Sequence, residues 1–484
     1  MAYSHGITVN EKATEVINLN QSASGLHVII GVAPVNTAKD PYGVTNKPIL
    51  CSSYDDAVDK FGFSKDYSNY NISEAISTYF NLFNVAPVVF INVLDAKKHK
   101  QEVAETLLAV TNKQAKLLEH GVLLDTVTVE NDSSPLTVNK DYILSFDDEG
   151  NVVITLIMNE SVPENIKVTA SKIDPSAVKD EDIIGGYDSE NGINKGIEVI
   201  RDVYPTFSQH ISLILAPGYT SKKVTAVLQA KTEEINGIFK CETIIDIDTS
   251  RAKKYSDCEK VKADDAIISE HAIAVWPKAT VDDVAYNMST IIAACMLYND
   301  IQNDDVPSMS PSNKSIPISG LCDSEGKEII LDVTQANTLN AVGIVTAINF
   351  NGWKTWGNNT AIYPISTDPK DRWIACRRFF TWMENRFINE YISKVDSSAN
   401  YRIIETLVES ENVFCSSLVA DGKCAGAYVD YSIDENGVPD LIEGKIAIRQ
   451  HLAPFTPAES ITNTFDFDTE LLKNALSEEI GGNK

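Results

Sequence analysis

The sequence predicts an α/β fold, α+β over its whole length. An open α/β sheet carries a small inserted all-β domain and is followed by a C-terminal α+β domain, with extended arms at both ends. Three observations predict this. Four short apolar runs, LHVIIGVAP (residues 26–34), PVVFINVL (87–94), ISLILAP (211–217) and CETIIDID (241–248), lack regular polar alternation and suit strands covered on both faces. Helix-period segments alternate with such runs, most plainly from Gly196 onward, as in successive βα units. Between about residues 97 and 195 the pattern changes to polar segments with period-2 strands, which marks an insertion at a surface loop.

Taken in chain order, the first run is followed by a strand at 48–53 and a short helix, YDDAVDKFG. Ser53 stands at its N-cap, Asp55 and Asp56 in its first turn, and Gly62 at its stop. Ile72, Ala75, Ile76, Tyr79, Phe80 and Phe83 share one helical face. Within the insertion LLDTVTVE, DYILSF, NVVITLIM and NIKVTAS alternate, and Asp148-Glu149-Gly150-Asn151 suits a hairpin turn; Gly185-Gly186 reads as another turn. GIEVIRDVY resumes the helices, and SKKVTAVLQAKTEEING is an amphipathic helix closed by Gly237. AIAVWP is a further strand, residues 281–298 a long apolar helix, and VPSMSPSNKSIPISG a loop. GIVTAINFNGWKTWGNNTAIYP runs strand, turn, strand, and residues 373–391 form a long helix. The resulting division is an N-terminal arm (1–20), a discontinuous α/β core (21–96 and 196–350), the insertion (97–195), a C-terminal domain (351–457) and a C-terminal arm (458–484).

Both ends alternate. Ile446, Ile448, Gln450 and Leu452 fall on one parity, Lys445, Arg449 and His451 on the other, until Pro454 and Pro457 break the run. Then Ile461, Phe465, Phe467 and Leu471 alternate with Thr462, Thr464, Asp466, Asp468 and Glu470, ahead of a polar tail. Near the other end Ile7 and Val9 alternate with Thr8 and Asn10. A terminal strand with an apolar face adds to a sheet, either its own or a neighbour's open edge. The pattern leaves both open, home pairing being the ordinary outcome.

The 484 residues carry 68 acidic and 41 basic side chains, a formal charge of −27, which argues against nucleic acid or an anionic membrane as the main partner. The eight cysteines are scattered without a CxxC and suit reduced thiols in a cytoplasmic compartment. The opening MAYSHGITVN lacks a signal-peptide pattern, and no run of 18 apolar residues exists to span a membrane. There is no GxxxxGK[ST], no GxGxxG after a strand, no GxSxG, and no HxxxH or HExxH among the seven histidines. Catalytic, cofactor and metal residues are therefore expected to be none. The alternative is a metal-dependent α/β enzyme using Asp246 and Asp248 at a strand end, weighed against solvated acids in a turn. A further alternative is a surface-binding module with the β insertion as its recognition domain. Residues 370–402 hold seven basic and four acidic side chains, which suits an acidic partner or a solvated helix face with pairs such as Arg386–Glu390.

Several of these stretches, in this order, resemble the sheath proteins of contractile phage tails and phage-tail-like particles. They are GVAP with KPILCSSYDDAVDKFG, ISEAISTYFNLFNVAPVVFINVL, GIEVIRDVYPTFSQHISLILAPGYTSKKVTAVL, NDDVPSMSPSNKSIPISG, GWKTWGNNT with DRWIACRRFFTWME, and EGKIAIRQHLAPFTPAESI. The resemblance covers roughly four fifths of the chain and omits the insertion. It implies a non-enzymatic subunit, made in a bacterial host cytoplasm and housed in a virion tail or tail-like particle. Such subunits stack as rings into a helical sheath around an inner tail tube protein, with baseplate and tail terminator proteins as further partners. No direct nucleic-acid contact and no membrane insertion are implied. It also implies strand exchange, with Ile7, Val9, Ile461, Phe465 and Phe467 on donated arms and Ile446, Ile448 and Leu452 on the acceptor strand. Arg377 and Arg378 become candidates to face the tube, or else to hold the domain together. Contraction would then drive the tube through a cell envelope using energy stored at assembly.

Overall fold

The protein is described here by a computed structural model covering all residues except 1–19, 22–23, 132–133, 148, 159–161, 399, 433–434 and 482–484. Ile7 and Val9 therefore lie outside the described residues, as does Asp148 of the expected hairpin turn. Eight strands form the central sheet: β1 (Leu26–Gly31), β2 (Pro48–Cys51), β3 (Val88–Asn92), β4 (Ile211–Leu215), β5 (Glu242–Asp246), β6 (Ala272–Val275), β7 (Ile344–Asn349) and β8 (Trp353–Trp356). Their order is β8-β7-β6-β5-β4-β1-β3-β2. The inner six run parallel, and each edge strand is antiparallel to its neighbour.

The continuous apolar runs follow from this layout. Ile245, Ala272, Ala274 and Ile344 enter one apolar cluster around Trp276, whereas Ile244, Ile273, Val275 and Val345 enter the other. Successive side chains of a strand point to opposite faces, so a sheet covered on both sides needs apolar residues at every position. Local signals hold as well. Ser53 Oγ accepts from Asp56 N at 3.1 Å and starts helix Tyr54–Phe61. Gly62 ends it at φ 73°, where an added Cβ would sit 2.3 Å from the Pro34 carbonyl oxygen.

The order of strands reverses between β1 and β4, the place where open α/β sheets commonly hold ligands. Here an asparagine fills it. Asn71 Oδ1 accepts from Val32 N at 2.7 Å and its Nδ2 donates to the Pro217 carbonyl at 2.8 Å. A Cβ at Gly31 would fall 2.2 Å from Asn71 Oδ1, so the close approach requires glycine.

The insertion is all-β in its main elements. A three-stranded sheet (Tyr142–Phe146, Val152–Leu156, Gln114–Leu117) and a four-stranded sheet (Lys100–Ala109, Asn165–Ile173, Thr128–Asn131, Ser134–Pro135) enclose a cluster that includes Val103, Leu117, Val129, Ile154, Ile166 and Val168.

Three expectations are corrected. Residues 281–298 are not one helix: a hairpin, Lys278–Val281 with Val284–Tyr286, turns at Asp282 and Asp283 (φ 48° and 66°) before helix α1 (Met288–Ile301). The core does not end at residue 350, because β8 pairs with β7 as the sheet's edge. The polar tail is not extended, because Asp468 Oδ1 accepts from Glu470 N (2.9 Å) and Leu471 N (3.2 Å) and a helix runs over Thr469–Gly481. Leu471 thus belongs to that helix and not to the preceding alternation.

Candidate assembly site

The C-terminal region is built on helix α2 (Ile374–Tyr391), which is bolted to the core at several points. Arg378 and Asp300 at the end of α1 form a two-pronged ion pair, Nη1 to Oδ1 at 3.1 Å and Nη2 to Oδ2, with side chains 6% and 1% exposed. Burial still pushes the Asp300 carboxyl above its usual range despite the guanidinium beside it. Arg377, 5% exposed, reaches Asp371 and Glu384, each at 3.3 Å. Asn385 bonds both backbone groups of Lys240, accepting from N at 3.1 Å and donating to O at 2.7 Å. The two arginines expected as tube-facing candidates are both buried in ion pairs within the chain, Arg378 to the core helix α1 and Arg377 within its own segment. Arg386 likewise bypasses Glu390 and pairs with the fully buried Glu411 at 2.8 Å, its guanidinium 3.3 Å from the centroid of Phe414. The basic surplus of this segment largely turns inward.

Helix α3 (Tyr401–Ala420) packs on a sheet that has two strands among the described residues, β9 (Gly426–Asp430) and β10 (Arg449–Ala453), joined antiparallel. Phe379, Met383, Cys415, Leu418, Cys424 and Val429 form its apolar centre, against which Ile448 and Leu452 pack. Gln450 Nε2 donates to Glu411 Oε1 at 3.0 Å. Of the parity read from the sequence, Ile448, Gln450 and Leu452 turn inward, whereas Ile446 is exposed. Ile446 and Ile448 precede the strand, and Leu452 lies within it.

The two outer edges differ. Asn412 of α3 accepts from Val429 N and donates to Val429 O, both at 2.9 Å, so its amide occupies the outer edge of β9 as a third strand would. Among the described residues no strand lies beyond β10. An edge of free N–H and C=O groups is a template for another chain.

The arm follows directly. Residues 454–468 have no strand partner among the described residues, and Ile461, Phe465 and Phe467 are 88%, 89% and 80% exposed. Its root is held. Arg372 pairs with Glu459 at 2.9 Å, donates from Nε to Asn359 Oδ1 at 2.8 Å, and lies 4.4 Å and 4.0 Å from the ring centroids of Tyr363 and Trp373. The sequence reading missed Arg372 and Asn412. Arg372 follows Lys370-Asp371 in a run of charges, and nothing short-range ties it to Glu459. At the other end Asn20–Gln21 pairs in parallel with Val85–Ala86, beginning at the last residue of the expected N-terminal arm.

Asp246 and Asp248, weighed as a metal-binding edge, serve local structure. Asp246 accepts from Ser289 N (2.9 Å) and Ser289 Oγ (2.5 Å) and so caps α1; burial raises its carboxyl above the usual range. Asp248 accepts from Ser250 N (2.8 Å) and Oγ (2.7 Å) in a turn. The nearby Glu74 accepts from Asn287 N at 2.9 Å and Nδ2 at 2.6 Å, and burial raises it to about 7. No helix among the described residues is long and apolar enough to cross a membrane.

No protein-family model matches the chain. Among curated relatives, the tail sheath protein of Burkholderia phage BcepMu is 26% identical over 99% of each chain. The major tail sheath protein of Serratia phage KSP20 is 22% identical over 66% of this chain and 78% of its own. Among solved structures, a chain of the anti-feeding prophage baseplate superposes with a TM-score of 0.60 at 15% identity, covering 97% of this chain and all of that one. The anti-feeding prophage helical sheath in its contracted state gives 0.58 at 16% identity over 97% and 100%, which places the fold among sheath proteins. The enzyme alternative gains no support from any of these. Over its full length in sequence, and in fold, the chain is similar to tail sheath proteins.

Proposed function

We propose that the chain is the sheath subunit of a contractile tail or tail-like particle, and that subunits are stitched together through the C-terminal arm. The observation that carries the stitch is the presence in one chain of an exposed apolar arm and of a strand edge without a described partner. Residues 460–468 offer Ile461, Phe465 and Phe467 to solvent, and β10 leaves one edge without a described partner. Strand addition satisfies both at once: ladder hydrogen bonds supply affinity, and alternate side chains fill pockets. The nine residues 460–468, fully extended, reach roughly 30 Å, enough to leave their own subunit. The arm of one copy would seat on β10 of the next, pivoting at the root where Arg372 holds Glu459. The N-terminal arm, with Ile7 and Val9, is proposed as a second stitch.

In this reading subunits stack as rings around an inner tube, with baseplate and terminator proteins at the ends and rearrangement of rings as the source of work; the similarity to tail sheath proteins and to a contracted helical sheath supports it. A surface-binding role for the insertion is favoured by no specific observation. Electron microscopy of the full-length chain with its tube protein tests the proposal: striated sheaths are expected, and they should vanish when residues 458–484 are removed. Sheaths of normal appearance from that truncated chain would overturn the stitch. A full-length chain that never forms sheaths with tube present would overturn the functional reading.

A further inference from the structure

A cluster at the start of β6 plays no part in the assembly site. Glu233 is the last residue of helix Lys222–Glu233, and Glu270 and His271 immediately precede β6. One carboxylate oxygen from each glutamate and one ring nitrogen of His271 all lie within 4.8 Å of one another. The loop is fixed in place by that helix. Gln229 Oε1 accepts from Ile268 N and Ser269 N, both at 3.0 Å, and its Nε2 donates to the Ala266 carbonyl at 3.2 Å. Ser269 Oγ accepts from His271 N at 3.0 Å, and the His271 carbonyl accepts from Thr243 N at 2.8 Å.

Two features of this cluster point to a ligand. Among the described residues neither the Glu233 nor the Glu270 side chain has a hydrogen bond or ion pair, so two carboxylates converge without a protein cation between them. Like charges held this close attract a cation between them. The His271 ring is 2% exposed and makes no hydrogen bond. Its Nδ1 is a buried unsatisfied atom, 3.6 Å from Glu242 Oε1, which is also buried and unsatisfied. The ring thus brings one nitrogen within 4.8 Å of both glutamate oxygens and lies beside a further carboxylate, Glu242; a carboxylate next to a metal-bound imidazole commonly fixes its orientation.

We propose that Glu233, Glu270 and His271 bind a divalent transition-metal cation, with zinc the best match. One imidazole nitrogen and two carboxylate oxygens form a mixed N/O donor set suited to zinc; calcium and magnesium prefer all-oxygen sites. Bonds of about 2.0–2.2 Å to a tetrahedral ion set ligand atoms roughly 3.4 Å apart. The two glutamates close that gap by rotamer changes, Glu233 from an exposed helix end, and water completes the coordination. The bound ion would tie the end of helix Lys222–Glu233 to the start of β6.

The test is calorimetric titration of the metal-free full-length chain with zinc chloride, and in parallel with calcium and magnesium chlorides. One zinc per chain is expected, with no heat from the other two. Glu233→Gln and Glu270→Gln should each weaken zinc binding at least ten-fold and abolish the zinc-dependent rise in melting temperature. Glu233→Gln is decisive because it leaves the buried ring in place, and its unchanged melting temperature without zinc would show an intact fold. Cobalt should give visible d–d absorption with the native chain and lose it with His271→Gln. Absence of stoichiometric zinc binding, or zinc binding unaltered by both glutamate substitutions, would overturn the site.

Discussion

The central sheet and the C-terminal sheet treat their edges in opposite ways. The central sheet ends on each side in a short antiparallel strand, β2 or β8, and its parallel interior is covered by two apolar layers. The C-terminal sheet has two strands, one edge stopped by the Asn412 amide and the other left without a described partner beside an exposed apolar arm. An isolated two-stranded sheet is marginal on its own and gains most from another strand. The contrast separates stability from assembly: the core closes on itself, whereas the C-terminal sheet, under the proposed strand addition, would be finished by a neighbour.

The widest separation of the two regions is expected from removal of residues 458–484. Sheath formation should be lost, while the core melts as before in circular dichroism; a large fall in core stability would erase the contrast. Next in size is Asp300→Ala, which strands the buried Arg378 charge between core and α2. It should lower unfolding free energy by about 3–5 kcal/mol in a urea titration. A loss below about 1 kcal/mol would mean that the staple carries little, as exposed pairs do.

The third test uses pH. Burial, with the Arg378 charge as a lesser cause, holds the His27 imidazole down to about 3, while its ring meets Tyr79 Oη at 2.9 Å. The unfolded chain therefore binds a proton near 6.5 that the folded chain refuses. The stability this group contributes is complete above that pH and is lost as pH falls toward 3. Between pH 6 and 5 the native chain should lose about 1.4 kcal/mol per pH unit more than His27→Gln does. Equal slopes would place His27 outside the core's pH response. The smallest effect is reserved for the arm: Phe465→Ser with Phe467→Ser should alter the isolated chain's stability by less than about 0.5 kcal/mol, because both rings are exposed, yet impair sheath formation.

Much of the core was legible because its signals are local. Unbroken apolar runs mark strands covered twice, and Ser53 and Gly62 mark a helix by cap chemistry within a few residues. The boundary errors have the same origin. Val281-Asp282-Asp283-Val284 carries enough apolar character to extend a helix on paper, but two aspartates in the left-handed region make a hairpin instead. The alternation at Ile461, Phe465 and Phe467 revealed an extended segment with an apolar side but not its partner, since pairing is a long-range property. For the same reason a cluster of arginines resembled a contact surface: the partners of Arg378, Arg386 and Arg372 stand 78, 25 and 87 residues away.

The most direct measurement is hydrogen exchange of backbone amides in the isolated chain and in assembled sheath. Residues 461–468 and the outward amides of β10 should exchange freely in the isolated chain and gain protection together on assembly. Continued rapid exchange of residues 461–468 in intact sheath would contradict strand addition by the arm.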